Sequence, residues 1–173
     1  MIIIPHTQEM IDRAKVRADQ MGEIRNSITR GAGNLAGFLG EEAIKEYLGA
    51  EIVESDEKFD YDIFLNGECI EVKTKRRTVA TRDYYDVSVA STSTHQRPDT
   101  YIFISLEFNE SIKKDGAKAY RGLKNIWLLG KKDAKQYFEE ATLWKKGDVD
   151  TSNEFTTLVD MWNLPISKLI CKF

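Results

Sequence analysis

Residues 60–73 read DYDIFLNGECIEVK, a pattern typical of a β-hairpin with its turn at Asn66-Gly67. Asn-Gly readily adopts the positive φ angles that a tight type I′ turn requires. The runs on either side are rich in β-branched and aromatic residues, which strands favour. The sequence therefore predicts two antiparallel strands, and the rest of the fold is placed around this hairpin.

Strand side chains alternate between the two faces of a sheet, so the hairpin should have two different faces. The residues expected on the apolar face are Tyr61, Ile63, Leu65, Ile70, Val72 and Thr74. The residues expected on the opposite face are Asp60, Asp62, Phe64, Cys69, Glu71 and Lys73. Two carboxylates and an amine, those of Asp62, Glu71 and Lys73, should thus lie side by side on rigid strands.

Such a group suits a hard cation such as Mg²⁺, which binds one or two carboxylates together with waters and substrate phosphate. A bound metal acidifies a water molecule and stabilises charge on a phosphodiester under attack. Asp62 and Glu71 are the predicted ligands, with the carbonyl of Val72 as a third. Lys73 is predicted to orient the water and to neutralise charge at the phosphorus. The expected cofactor is Mg²⁺ or Mn²⁺.

The order Asp62, then Glu71-Val72-Lys73, resembles the PD-(D/E)XK, or restriction-endonuclease-like, nuclease superfamily in its small phage and prokaryotic forms. Many members add an acidic residue from a preceding helix in a Gly-x-x-Gly-Glu context, and residues 37–41 read GFLGE here. The resemblance implies that Glu41 joins the site as a catalytic and metal-binding residue. It also implies an α/β fold with a central mixed β-sheet flanked by helices, in the order α-β-β-β-α-β.

The resemblance covers roughly residues 33–75 and lacks the Pro that often precedes the Asp. Asp62 is favoured as the ligand because it leads directly into an apolar strand, and Asp60 is left as a supporting or alternative ligand. Gln96 is a further candidate, since some relatives place a glutamine near the metal. The plainer interpretation is an amphipathic hairpin whose charged face is simply solvated.

A basic segment follows the hairpin directly, because residues 73–82 hold five Lys or Arg residues and no Asp or Glu. Phosphates that approach the hairpin would meet this segment next, and phosphate contacts dominate DNA affinity. The side chains predicted to contact DNA are Lys75, Arg76, Arg77 and Arg82. The alternative is a solvated loop.

Hydrophobic periodicity predicts the other elements. Helices are expected at 7–28, 34–48 and 131–141, and further strands at 50–54, 84–89, 100–108 and 123–129, the last closed by Gly130. In the second helix, Gly37 and Gly40 are expected to allow close approach to the sheet. Glu41 should point toward that sheet, and Glu42 should be more exposed.

The chain is predicted to form a single nuclease domain over 1–173. It should consist of an appended N-terminal helix (1–30), a catalytic core (33–108) and a sheet extension with a covering helix (109–173). A homodimer is expected, since nucleases of this superfamily often pair to cut both strands, and the appended helix is a candidate for the dimer contact.

Composition agrees with a globular protein of 173 residues, 42% hydrophobic and 31% charged, with a net charge of −3. No apolar run approaches the length of a membrane span, and the start of the chain is too short an apolar stretch for a signal peptide. We therefore expect a cytoplasmic protein without membrane association. Two cysteines, Cys69 and Cys171, form no metal-ligand spacing.

Three functions are compatible with the sequence. The first is a metal-dependent DNA nuclease, expected to be an endonuclease, that hydrolyses phosphodiester bonds through a metal-activated water. The second is a non-catalytic DNA-binding or accessory module on the same fold, and the third is a protein-interaction domain whose hairpin charges are incidental. The complete set of predicted metal ligands favours the nuclease. The sequence does not distinguish DNA from RNA as its substrate.

Overall fold

The computed structural model describes residues 1–21, 34–52, 61–93, 96–109, 122–150 and 155–172. The helices are α1 (Gln8–Met21), α2 (Asn34–Leu48) and α3 (Ala134–Glu140). The strands are β1 (Ile2–Ile4), β2 (Glu51–Ile52), β3 (Ile63–Leu65), β4 (Glu68–Arg77), β5 (Asp86–Ala90), β6 (Thr100–Phe108), β7 (Leu123–Asp133), β8 (Thr142–Trp144), β9 (Val149–Asp150), β10 (Phe155–Thr156) and β11 (Met161–Pro165). No helix in these ranges is long and apolar enough to cross a membrane.

A six-stranded sheet with the order β1-β7-β6-β4-β3-β2 forms the centre of the fold. The sheet is mixed, because β4 and β6 are parallel whereas every other pair of neighbouring strands in it is antiparallel. Two smaller sheets accompany it, one with the order β5-β11-β8 and one formed by β9 and β10. The predicted α/β class with a mixed sheet is confirmed.

The hairpin of β3 and β4 has the predicted turn and register. Asn66 and Gly67 both have positive φ, at 52° and 85°, as a type I′ turn requires. Ile63 is opposite Ile70, and both are buried, whereas Phe64 on the other face is exposed. The predicted alternation of the two faces is therefore confirmed.

The connection from β4 to β6 differs from the expected α-β-β-β-α-β order. Among the residues described there, it contains β5 and a 3₁₀ turn at Ser91–Ser93, and no α-helix. The apolar side chains of β5, Val87 and Val89, recur with the period of two that favours a strand, and β5 pairs with β11. A second sheet thus covers the face of the central sheet where a crossover helix was expected.

Each face of the central sheet has its own core. Helices α1 and α2 cover one face with buried side chains that include Met10, Leu39 and Ile44. The other face packs α3 and the β5-β11-β8 sheet against Tyr101 and Phe103 of β6. Helix α1 therefore packs into the same core as α2, and the predicted boundary at residue 30 lies outside the described residues.

Strand β7 continues past Gly130 to Asp133. The predicted end of that strand at residue 129 and the predicted start of the next helix at Lys131 are therefore wrong. Gly130 has φ 149° and lies at a bulge opposite β6. A Cβ at this position would lie 2.7 Å from the Cβ of Leu169, so glycine permits the C-terminal segment to approach. Helix α3 begins only at Ala134. The preceding residue, Asp133, caps it, because its side chain accepts a hydrogen bond from the N–H of Gln136.

The two glycines of α2 have different environments. A Cβ at Gly40 would lie 2.0 Å from Oγ1 of Thr74 on β4, whereas nothing lies within 4 Å of the corresponding position at Gly37. The expectation of a close approach is therefore correct for Gly40 and wrong for Gly37. Gly40 allows α2 to pack against the strand that also carries Glu71 and Lys73.

We expect Gly40→Ala to lower the free energy of unfolding by about 1–3 kcal/mol, because the methyl group overpacks against Thr74. The matched control Gly37→Ala should raise it by up to about 1 kcal/mol, since alanine has the higher helix propensity and the space is open. Urea unfolding measures both values. The double variant Gly40→Ala/Thr74→Ala should recover most of the loss, and equal effects of the two single variants would contradict this packing.

Candidate active site

The hairpin places the Asp62 carboxylate against the backbone of β4. Oδ2 of Asp62 accepts a hydrogen bond from the N–H of Val72 at 2.9 Å. The N–H of Asp62 donates to the carbonyl of Ile70 at 3.0 Å, so backbone and side chain are both fixed. The carboxylate therefore lies next to the Glu71-Val72 peptide, at the point where β3 begins.

Glu71, Lys73 and Gln96 form a closed network of hydrogen bonds. Oε1 of Glu71 accepts from Nζ of Lys73 and from Nε2 of Gln96, both at 2.7 Å. Nζ of Lys73 also donates to Oε1 of Gln96 at 2.9 Å. The Glu71 side chain is 5% exposed and that of Lys73 is 20% exposed, so solvent or a substrate reaches the amine more easily than the carboxylate.

Glu41 approaches the same site from α2. Its Oε2 accepts from the guanidinium of Arg17 at 2.6 Å, and its side chain is largely buried. Burial raises the pKa of Glu41, the nearby Arg17 charge lowers it by a smaller amount, and the charge of Glu71 raises it further. Glu41, Asp62 and Glu71 are therefore close enough for their charges to interact.

Asp62 has the most perturbed carboxyl group of the site. Burial raises its pKa well above the usual value, and the negative charges of Glu71 and Glu41 raise it further. The Val72 N–H and the Lys73 amine oppose this rise with smaller effects. The site thus concentrates more negative charge than its own cations compensate.

The predicted ligand oxygens also include the second carboxylate oxygen of Glu71 and the carbonyl of Val72. Oε2 of Glu71 is buried and has no hydrogen-bond partner among the described residues. The N–H and C=O of one strand residue point to the same side, so the Val72 carbonyl is directed to the side where Asp62 lies. In the described parts of the chain, no group of three or more His, Cys, Asp or Glu side chains has the arrangement of a complete metal site.

The arginines of α1 were missed by the sequence reasoning. Arg17 pairs with Glu41, and Arg13 donates to Oε2 of Glu42 at 2.8 Å and also pairs with Glu46. Glu42 is buried, so its predicted exposure is wrong; the α1 arginines compensate its charge. The spacing of Arg13 and Arg17 by four residues was a signal for a shared helix face, but not for what that face contacts.

The basic segment forms the end of β4, directly after Lys73. Lys75 and Arg77 lie on the same face of the strand as Glu71 and Lys73. Together with Arg76, they line a cavity of about 980 Å³. Arg76 lies 4.9 Å from the ring centre of Phe108, and Arg77 lies 5.1 Å from that of Tyr85. The fourth predicted DNA contact, Arg82, is exposed and does not line the cavity.

Lys75 has an unusual environment for an exposed residue. Desolvation of its amine within the cavity lowers its pKa to about 8, and the charge of Arg77 contributes a smaller lowering. The charges of Asp86 and Asp150 oppose this shift. The remaining candidate, Asp60, lies outside the described residues.

Comparison of the sequence with models of known protein families and with curated proteins gives no match. The function is therefore inferred from the chemistry of the site.

The raised pKa values of Asp62 and Glu41 predict that stability falls as pH rises above about 4, the ordinary carboxyl pKa. In this range the folded protein binds more protons than the unfolded chain, so a rise in pH favours unfolding. Asp62→Asn keeps an oxygen for the Val72 N–H and removes the charge. We expect this variant to have a smaller decline between pH 4 and 8 and a midpoint of thermal unfolding a few degrees higher at pH 7.

Asp12→Asn is the control for this measurement. The pKa of Asp12 is lowered by its hydrogen bonds to Gln8 and Lys15, so its effect on stability falls mainly at and below the ordinary carboxyl pKa. Its replacement should leave the pH dependence between 4 and 8 unchanged. A wild-type protein whose stability rises with pH over this interval would contradict the charge balance described for the site.

Arg17→Met should lower the free energy of unfolding by about 3 kcal/mol, because Glu41 and Glu42 then lose a largely buried cation. Lys15→Met on the same helix is the control. Within the described ranges Lys15 pairs with exposed Asp12, so its loss should change stability by less than about 1 kcal/mol. Chemical unfolding of both variants measures the difference, and comparable losses would show that the Arg17 pairs contribute little.

Proposed function

We propose that this protein is a metal-dependent DNA nuclease that hydrolyses phosphodiester bonds, on a fold related to the restriction endonucleases. The observation that carries the proposal is the network of Glu71, Lys73 and Gln96 beside the Asp62 carboxylate. A solvated charged face would leave these groups in water. In this protein the two carboxylates and the amine are largely buried from water, at the end of the β3–β4 strand pair.

The residues present are compatible with Mg²⁺ or Mn²⁺. Oε2 of Glu71 is buried without a partner among the described residues, and Asp62 is repelled by two other carboxylates. Mg²⁺ usually takes one or two protein carboxylates and completes its shell with water and phosphate. Asp62 and Glu71 would hold the ion, with the Val72 carbonyl and Glu41 as further candidate ligands. When bound, such an ion acidifies a water molecule and stabilises negative charge on the phosphate.

Lys73 has the role of orienting the attacking water. Glu71 and Gln96 fix its amine from two sides, and its partial exposure leaves it accessible to a substrate. A fixed ammonium group stabilises the charge that develops on the phosphate oxygens and needs no reorganisation during the reaction. Gln96 is therefore a positioning residue for Lys73 and Glu71.

The order of elements supports a restriction-endonuclease-like core. Helix α2 carries Glu41, the β3–β4 hairpin carries Asp62, Glu71 and Lys73, and β6 lies parallel to β4. The β5-β11-β8 sheet would be this chain's own replacement for the second helix of that core. We propose DNA as the substrate because Lys75, Arg76 and Arg77 follow Lys73 directly.

A homodimer is also proposed, in which each chain would cut one strand with its own site. The protein is proposed to act in the cytoplasm of a prokaryotic or phage-infected cell.

Incubation with supercoiled DNA tests the proposed activity. We expect cleavage with Mg²⁺ or Mn²⁺ and none with EDTA. Lys73→Ala and Glu71→Gln should each lower the rate by at least about 100-fold, the usual effect of removing a group that stabilises the transition state. Glu68→Gln is the matched control, because Glu68 lies on the same strand, is exposed and accepts a hydrogen bond from Thr100. Its rate should equal that of the wild type.

Intact DNA in every condition, from protein that is folded by circular dichroism, would contradict the nuclease proposal. If the protein then still bound DNA in a salt-sensitive manner, it would be a non-catalytic DNA-binding module on the same fold.

A further inference from the structure

The cavity beside the candidate active site has features that the proposed cleavage chemistry does not use. It begins at Lys75, two residues along β4 from Lys73, which is about 7 Å in a strand. Its other walls come from β5 and from the segments around β8 and β11. A volume of about 980 Å³ is at the upper end of the range for small-molecule sites.

Four buried polar atoms with no hydrogen-bond partner in the described parts of the chain belong to residues that line this cavity. They are Nε of Arg77, Oγ of Ser88, Oγ1 of Thr157 and Oδ1 of Asn163. Thr157 is 2% exposed and Asn163 is 8% exposed. Buried polar groups are nearly always satisfied, since leaving one unpaired is costly. Their concentration around one cavity shows a need for polar partners, which water or a polar ligand can supply.

Aromatic rings accompany these polar atoms. Tyr84 is 70% exposed, and its ring packs edge-on against Tyr85 at a centroid distance of 4.9 Å. Trp144 and Met161 add further apolar surface to the wall. An aromatic residue as exposed as Tyr84 at the edge of a cavity offers a free face on which a flat ring can stack.

Charge at the cavity is balanced rather than purely basic. Lys75 and Arg77 face the carboxylates of Asp86 and Asp150, whose charges act on the Lys75 amine. A site for phosphate alone would not include two carboxylates. A nucleobase, by contrast, carries both donors and acceptors on its edge, and its attached phosphate needs only one or two cations.

We propose that this cavity binds the base of an unpaired nucleotide adjacent to the cleaved phosphodiester, so that the substrates are single-stranded or locally unpaired DNA. This inference rests on the proposed nuclease function and specifies its substrate class. Tyr84 stacks on the base, while Asn163, Ser88 and Thr157 hydrogen-bond to its edge. Lys75 contacts the phosphate between the base and the cleavage site. A paired base cannot enter, because its edge and faces are occupied within the duplex.

A fluorescent base tests the binding step without cleavage. A short single-stranded oligonucleotide carrying 2-aminopurine is titrated with the wild-type protein in EDTA, where stacking of the analogue quenches its fluorescence. We expect quenching with the single strand, and an unlabelled duplex of the same sequence should not compete for binding. Tyr84→Ala should weaken binding about 10-fold, as expected for the loss of one stacked base.

Tyr47→Ala is the matched control, because Tyr47 is an exposed tyrosine on α2 and does not line the cavity. It should bind like the wild type. A second variant, Asn163→Leu, should also reduce quenching if circular dichroism shows it to be folded. Equal affinity for single strand and duplex, or unchanged binding by Tyr84→Ala, would overturn the inference.

Cleavage assays on the same oligonucleotides with Mg²⁺ separate this inference from the proposed function. Cleavage of duplex and single strand at equal rates, unaffected by Tyr84→Ala, would leave the nuclease standing and remove the base pocket. Quenching that depends on Tyr84, without cleavage under any condition, would support the pocket and remove the nuclease.

Discussion

The register of the β3–β4 hairpin is the constraint on which the site depends. Side chains alternate along a strand, so a slip by one residue would turn Glu71 and Lys73 into the apolar core under α2. The turn at Asn66-Gly67 and the pairing of Ile63 with Ile70 fix this register from the hairpin itself. The parallel pairing of β4 with β6 extends it over the following strand residues, as far as the basic segment.

The site is a place where charge balance and stability conflict. Three interacting carboxylates lie in a largely dry environment, and Arg17 and Lys73 are the cations that contact them. Buried groups with perturbed pKa values are more common at functional sites than elsewhere, because structural packing alone has no need of them. The surrounding fold supplies the stability, with an apolar core on each face of the central sheet.

Elements far apart in sequence complete what the hairpin begins. Helix α1 reaches the site through Arg17, and the loop after β5 contributes Gln96. The C-terminal strands form the second sheet, where the hydroxyl of Tyr137 donates to the carbonyl of Trp162 at 2.7 Å and joins α3 to β11. Residues of this sheet line the cavity beside Lys75, so the cavity adjoins the strand that carries Glu71 and Lys73.

The sequence by itself determined the hairpin, α2, β6 and the grouping of Asp62, Glu71 and Lys73, because turn chemistry and strand alternation act between near neighbours. It also indicated Glu41 and Gln96 through a family resemblance. Only the tertiary structure decided that Arg13 and Arg17 neutralise buried Glu42, that β7 continues through Gly130, and that β5 joins a second sheet. Each of these depends on contacts between segments distant along the chain, where burial and pairing override local propensity.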